Sequence, residues 1–214
     1  QSIPPEIRKE TPCQIAPFGS PADTGNTLPR NTSRKNGKLK LLFVGSMSQR
    51  KGLADLFEAM KLINSSQISL SILGQPSMPM GFYRSHYPNF KYLPPRSNEG
   101  VREVMLEHDV LVLPSIIEGR ALVQQEALAC GLPLIVTQNT GGEDLIEEER
   151  TGFIVPIRKP DAIAEKIDWF CQNLQEIDEM SEYCRNKASQ YKWSEYARSI
   201  INFCLRIRSN SADI

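Results

Sequence analysis

From Leu39 onward the hydrophobic pattern alternates between two periods. Leu39–Gly45 (LKLLFVG) is a near-continuous apolar run, the pattern of a strand covered by helices on both faces. Gly52–Ile63 then carries Leu53, Leu56, Phe57, Met60 and Ile63 at three- and four-residue spacing, which predicts an amphipathic helix. The same reading predicts strands at Ile68–Leu73, Phe90–Leu93, Asp109–Leu113, Leu132–Thr137 and Gly152–Val155. It predicts helices at Val101–Glu107, Arg120–Ala129, Asp161–Leu174, Glu176–Gln190 and Ser194–Arg208. Gly74–Phe90, rich in proline and glycine, stays ambiguous. Upstream, residues 1–11 have no sustained period, Cys13–Pro17 (CQIAP) reads as a short strand, and Gly19–Lys38 reads as a solvated connector.

Strands and helices alternating through short links predict an α/β domain with a doubly wound, mostly parallel, Rossmann-like sheet in three layers and a helical C-terminal tail. The divisions read from the pattern are a connector over residues 1–38, a domain over 39–190 and a C-terminal helix within 191–214.

Composition narrows the partners. The 214 residues have room for one good-sized domain with tails. Lysine plus arginine and aspartate plus glutamate both number 25, so no basic excess favours nucleic acid, and any bound anion needs a local site. No apolar run approaches the ~18 residues of a membrane span, and QSIPPEIRKE lacks the features of a secretory signal. A cytoplasmic location is expected. The chain opens without methionine and is expected to be a piece of a longer protein. Cys13, Cys130, Cys171, Cys184 and Cys204 never form a C-x-x-C pair, which argues against disulfides and zinc; mostly buried, reduced thiols are expected.

In open parallel sheets ligands bind beyond the carboxyl ends of the strands. Three loops fall there: Gly45–Lys51, Leu93–Arg96 and Pro114–Ala121. The first runs from a strand into a helix start, where free backbone N–H groups and the helix dipole favour an anion beside Lys51. Solvated turn residues at Arg50 and Lys51 are an equally good reading of that loop alone. In the third loop Gly119 lets a ligand approach the backbone, and small Ala121 leaves the next helix open at its N-terminus. Glu118 is placed to accept from a sugar hydroxyl. Glu126 interrupts an apolar face read as Leu122, Val123, Ala127 and Leu128, roughly 8 Å further in at ~1.5 Å per residue, the scale of a ribose beyond a diphosphate. An exposed helix glutamate is the ordinary alternative.

Glu118 and Glu126 resemble the E-x7-E signature of family 4 glycosyltransferases. The stretch HDVLVLPSIIEGRALVQQEALACGLPLIVTQNTGGEDLIEEERTGFIVP is similar to that family along its length, and FVGSMSQRKG, KYLPP and YKWSEYAR fall in the family's order. The resemblance covers about Leu39–Phe203 and implies the C-terminal, donor-binding half of a GT-B fold. Residues 1–17 (PPEI, IAPFG) resemble the end of an acceptor domain and the crossover, and the C-terminal helix is expected to pack either back on the sheet domain or on that partner domain.

The resemblance implies that Lys51 holds the diphosphate, Glu118 lies near the donor sugar and Glu126 binds the ribose. Gly45, Ser46, Arg50 and Gly119 would border the donor, the backbone of Arg120, Ala121, Leu122 and Val123 would cradle the distal phosphate, and Leu93, Pro94 and Pro95 would border the base. One departure is Ser46, where many members carry arginine; Arg50 and Arg120 are the candidates to replace it. Arg120 itself stands where an aromatic or small residue is usual.

The implied partners are a UDP- or GDP-sugar and an N-terminal acceptor-binding domain, with the cytoplasmic face of a membrane as an alternative location reached through that domain. The implied reaction is retaining hexosyl transfer to a glycan, lipid or other acceptor, as in polysaccharide biosynthesis. Lys51 and Glu118 are the catalytic candidates. No cofactor and no obligatory metal are expected, and the chain alone is expected to be inactive. A non-catalytic nucleotide-sugar-binding domain is the rival. A dehydrogenase is disfavoured because Gly45-Ser46-Met47 does not begin G-x-G-x-x-G.

Overall fold

Apolar runs too short for helices and bounded by turns become buried strands. The computed structural model describes residues 4, 6–7, 11–21, 37–63 and 66–212. Its strands are β1 (Leu39–Val44), β2 (Ile68–Leu73), β3 (Phe90–Leu93), β4 (Val110–Leu113), β5 (Leu134–Thr137) and β6 (Gly152–Val155). They form one sheet in the order β3-β2-β1-β4-β5-β6, every pair parallel. The helices are α1 (Leu53–Ile63), α2 (Met80–His86), α3 (Asn98–Leu106), α4 (Leu122–Ala129), α5 (Pro160–Gln172), α6 (Glu176–Ser189) and α7 (Trp193–Ala212).

The chain leaves β1 in one direction for β2 and β3, and returns to its other side for β4 to β6. Right-handed crossovers therefore put α1 and α4 on opposite faces, where α1 packs on α5 and α4 on α6. The core lies between: all of β4, most of β1 and Ile135, Phe153 and Phe170 are buried. The strand order reverses between β1 and β4, so the loops that follow them open a crevice at one rim.

The predicted strand and helix positions hold with small shifts at their ends, with two exceptions and one addition. CQIAP is not a strand; it runs as an extended strap along α7, with Gln14 Nε2 donating to Ser199 O at 3.1 Å and Phe18 packed on Tyr196 at 5.3 Å. Arg120 lies outside α4, which starts two residues later than its apolar pattern suggests. Within Gly74–Phe90 the structure adds α2, anchored by Tyr83. That hydroxyl donates to Met47 O at 2.7 Å and accepts from the N–H groups of Ser77 and Met78 at 2.9 Å each. Residues 22–36 of the expected connector lie outside the described residues. Cys130 and Cys184 are buried as expected, but Cys13 and Cys204 are exposed.

Candidate functional site

The loops after β1 and β4 are pressed together at the crevice. Gly45 turns with φ +148°, and a Cβ there would touch Lys51 Cε, so the lysine side chain folds over the glycine. Gly52 has φ +72°, and a Cβ there would fall on the Pro114 carbonyl. Ile116 N–H donates to Arg50 O at 2.8 Å. The expectation that the first loop offers free backbone donors at a helix start is met only in part. The N–H groups of Met47, Ser48, Lys51 and Gly52 donate to the carbonyls of Gln75, Ser46, Ser48 and Gln49, and a 3-10 turn over Gln49–Lys51 precedes α1. Ser46 Oγ lies 3.1 Å from Ser48 Oγ. What this loop offers is side-chain charge.

The loop after β4 is stitched to the loop after β5. Glu118 N–H donates to Asn139 O at 2.7 Å, Asn139 Nδ2 to Ile116 O at 3.1 Å, and the Thr137 hydroxyl to Ser115 O. This holds the Glu118 carboxylate inward, its side chain only 10% exposed. Its Oε1 lies 2.9 Å from Arg50 Nη1 and 2.8 Å from Lys51 Nζ. The two cations approach that buried oxygen as charges and not as aligned hydrogen-bond donors. Lys51 is 13% exposed and Arg50 55%, so the arginine stands at the solvent side. Two cations against one carboxylate leave positive charge on the rim.

Beside them α4 begins at Ala121, which supplies no side-chain cap. The N–H groups of Leu122 and Val123 have no intrahelical acceptor and point with the positive end of the dipole. Leu122 is 40% exposed, against its expected place on the apolar face. Ala127 and Leu128 are buried as expected, and Gln124 and Gln125 are buried with them, their amides donating to Thr140 O at 3.1 Å and Phe18 O at 2.7 Å. Their partners come from distant segments, so local pattern does not reveal them. Glu126 follows one turn after Leu122 on the same face. Its carboxylate is half-buried without a hydrogen bond or ion pair among the described residues, and burial pushes its pKa above the ordinary range.

Arg120 does not reach toward Lys51. Its guanidinium forms a bidentate pair with Asp144 at 2.8 and 3.2 Å and donates to Gly141 O at 3.0 Å. Tyr191 donates to the same carboxylate at 2.6 Å. Burial acts to raise the Asp144 pKa, but these hydrogen bonds outweigh it and hold the pKa below the usual carboxylate value. The Tyr191 phenol is pushed up to about 12, chiefly by burial and by its bond to Asp144. Of the two arginines proposed to compensate for Ser46, only Arg50 joins the Lys51 cluster.

Leu93 is buried at the end of β3, two strands along the same rim, and its carbonyl accepts from Gly74 N–H at 3.1 Å; Pro94 and Pro95 are exposed. Among the described residues no group of three or more His, Cys, Asp or Glu is arranged to hold a metal, and no helix is long and apolar enough to cross a membrane.

Comparison with known proteins decides the family. The model of "Glycosyl transferases group 1" matches residues 26–190. The chain belongs to this family. An uncharacterized glycosyltransferase of Methanocaldococcus jannaschii is 26% identical over 184 residues, covering 81% of this chain and 46% of the relative. Sucrose-phosphate synthase from Thermosynechococcus elongatus superposes with a TM-score of 0.71 at 22% identity, over 90% of this chain and 50% of that one. Anabaena HepE, solved in complex with UDP-glucose, gives a TM-score of 0.66 at 18% identity over 80% and 49% of the two chains. The glycosyltransferase domain is thus the Rossmann-like C-terminal half of a GT-B fold. It spans about half the length of the curated relatives it matches.

Proposed function

We propose that this glycosyltransferase domain binds the UDP- or GDP-linked hexose of a retaining transfer. The observation that carries the reading is the convergence of Arg50, Lys51 and Glu118 at the strand-order reversal, beside the uncapped N-terminus of α4. A diphosphate suits two cations and two open N–H groups. Glu118 then faces the sugar, and Glu126, one turn along α4, accepts from the ribose hydroxyls. Leu93, Pro94 and Pro95 border the base. HepE's complex with UDP-glucose supports the ligand class.

In transfer, the anomeric C–O bond breaks and the diphosphate leaves with the electron pair, stabilised by Lys51, Arg50 and the α4 dipole. The acceptor hydroxyl attacks from the same face and passes its proton to the departing phosphate oxygen. Preorganised charge of this kind needs no obligatory divalent ion. The acceptor site belongs to a second domain, reached through residues 1–38 and packed against part of 191–214, and the whole protein works in the cytoplasm or at the cytoplasmic face of a membrane.

Calorimetric titration with UDP and GDP tests the donor site. Binding of one nucleotide, lost in Glu126→Ala, is expected; a chain that binds neither sinks the reading. The length relation to the relatives keeps one alternative, a nucleotide-sugar-binding domain without catalysis. Hydrolysis of UDP-sugars assayed with and without an acceptor domain separates the two. Turnover only with that domain present favours the transferase.

A further inference from the structure

Arg50 and Lys51 both converge on Glu118 Oε1, at 2.9 and 2.8 Å. They are also the cations that the proposed donor site offers a diphosphate, so one pair of charges faces two anions. We infer that Glu118 competes with the diphosphate for Arg50 and Lys51, and thereby determines specificity for a sugar-bearing donor over the bare nucleotide. The inference rests on the proposed function and adds a selection rule to it.

The physical argument turns on what happens to Glu118 when the cations move. Its Oε1 is fully buried and has no aligned hydrogen-bond donor, so the two cations are its counter-charge. A diphosphate that draws Arg50 away and shares Lys51 leaves a buried carboxylate short of counter-charge, which opposes binding. A donor carrying its sugar returns donors to that carboxylate, because the hydroxyls face it. A nucleoside diphosphate without a sugar returns none. Glu118 therefore weakens the bare product relative to the donor and favours its release. Arg50 is suited to move, since it is 55% exposed, whereas Lys51 lies folded against Gly45. Asp144 does not enter the competition, being held by Arg120 and Tyr191.

The test uses inorganic pyrophosphate, UDP and GDP, so that it does not depend on knowing the sugar. The isosteric Glu118→Gln removes the competitor and is expected to bind pyrophosphate and the cognate nucleotide about tenfold more tightly than wild type, the scale of one partly buried charge interaction. Arg50→Met is expected to bind them more weakly. A nucleotide that binds wild type but is held no more tightly by Glu118→Gln overturns the inference and leaves the donor-site reading standing. Failure of wild type to bind any of the three overturns both. A wild-type crystal structure with pyrophosphate gives a second arm that needs no variant. Arg50 is expected on the anion and off Glu118; both ion pairs still closed around a bound pyrophosphate overturns the competition.

Discussion

Glu126 and Arg120 contrast a half-buried carboxylate without a partner among the described residues with a guanidinium held in a structural pair. Burial raises the Glu126 pKa above its ordinary 4.5, so at mildly acid pH the folded chain keeps a proton that the unfolded chain has released. Its contribution to stability is therefore fullest below that value and is lost as pH rises through the raised folded pKa. Glu126→Gln is expected to raise the melting temperature at neutral pH, and thermal melts across pH will show whether it does. Nucleotide affinity has the opposite slope, because only the ionised carboxylate accepts from both ribose hydroxyls. UDP or GDP binding is expected to weaken on acidification from above the usual glutamate range, and a titration series in which Glu126→Gln keeps that slope removes the ribose role. Arg120 makes the contrasting case. Asp144 is partly solvent-exposed, which holds their ion pair to about 1 kcal/mol. Arg120→Ala is expected to lose about that much stability by urea denaturation while nucleotide affinity stays near wild type, whereas Arg50→Met lowers affinity. An Arg120→Ala defect in binding larger than that of Arg50→Met contradicts the assignment. Position after a strand and the E-x7-E resemblance made Lys51, Glu118 and Glu126 candidates. They left Arg50 and Arg120 undecided because each guanidinium is aimed by a residue far along the chain, Glu118 for one and Asp144 for the other.

At the scale of elements, legibility followed how local the cause was. The strands were readable because burial on both faces writes an uninterrupted apolar run, and α1 because its period is regular. The start of α4 was not, since Arg120 and Ala121 read on into the helical pattern while the backbone turns to bring Ala121 N–H onto Thr140 O at 3.2 Å. Met80–His86 hid among prolines and glycines, its anchor being the remote bonds of Tyr83. Contact between loops also sets which glycines are replaceable. Gly141 has φ +67°, and a Cβ there would overlap the Gly119 carbonyl, the backbone next to Glu118. The left-handed conformation alone costs a side chain about 1–2 kcal/mol, and relieving the overlap moves the loop that carries Glu118. Gly141→Ala is expected to lose at least about 2 kcal/mol of stability and to weaken nucleotide binding. Gly81 lies in α2, where a Cβ would meet nothing within 4 Å. Gly81→Ala is expected to be neutral or to gain about 0.5–1 kcal/mol with nucleotide affinity unchanged. Paired denaturation and titration of the two variants distinguish loop geometry from a general intolerance of glycine replacement.

For the molecule as a whole, the crevice is built by joining segments that the chain keeps far apart. Gln125 reaches Phe18 O in the strap, Ser20 N–H reaches Tyr191 O, and Tyr191 reaches Asp144 beside the Glu118 loop. A ligand that bridges Lys51 and α4 therefore ties together β1, β4 and, through Gln125 and Arg120, the strap and the α6–α7 junction. Unfolding separates all of these, so a nucleotide held at the proposed site is expected to bind the folded chain and little else. At a free concentration a hundredfold above Kd, the linkage is worth about 2.7 kcal/mol. For a chain of this size that corresponds to a rise in melting temperature of roughly 5–10 °C. The cations of the proposed site are side chains and a helix terminus, so the rise is expected to be the same in EDTA as in magnesium. Thermal melts with UDP and GDP under both conditions check this. A shift that appears only with magnesium transfers the diphosphate charge to a metal and removes the electrostatic role given to Arg50, Lys51 and α4. A shift equal in both assigns that charge to the protein.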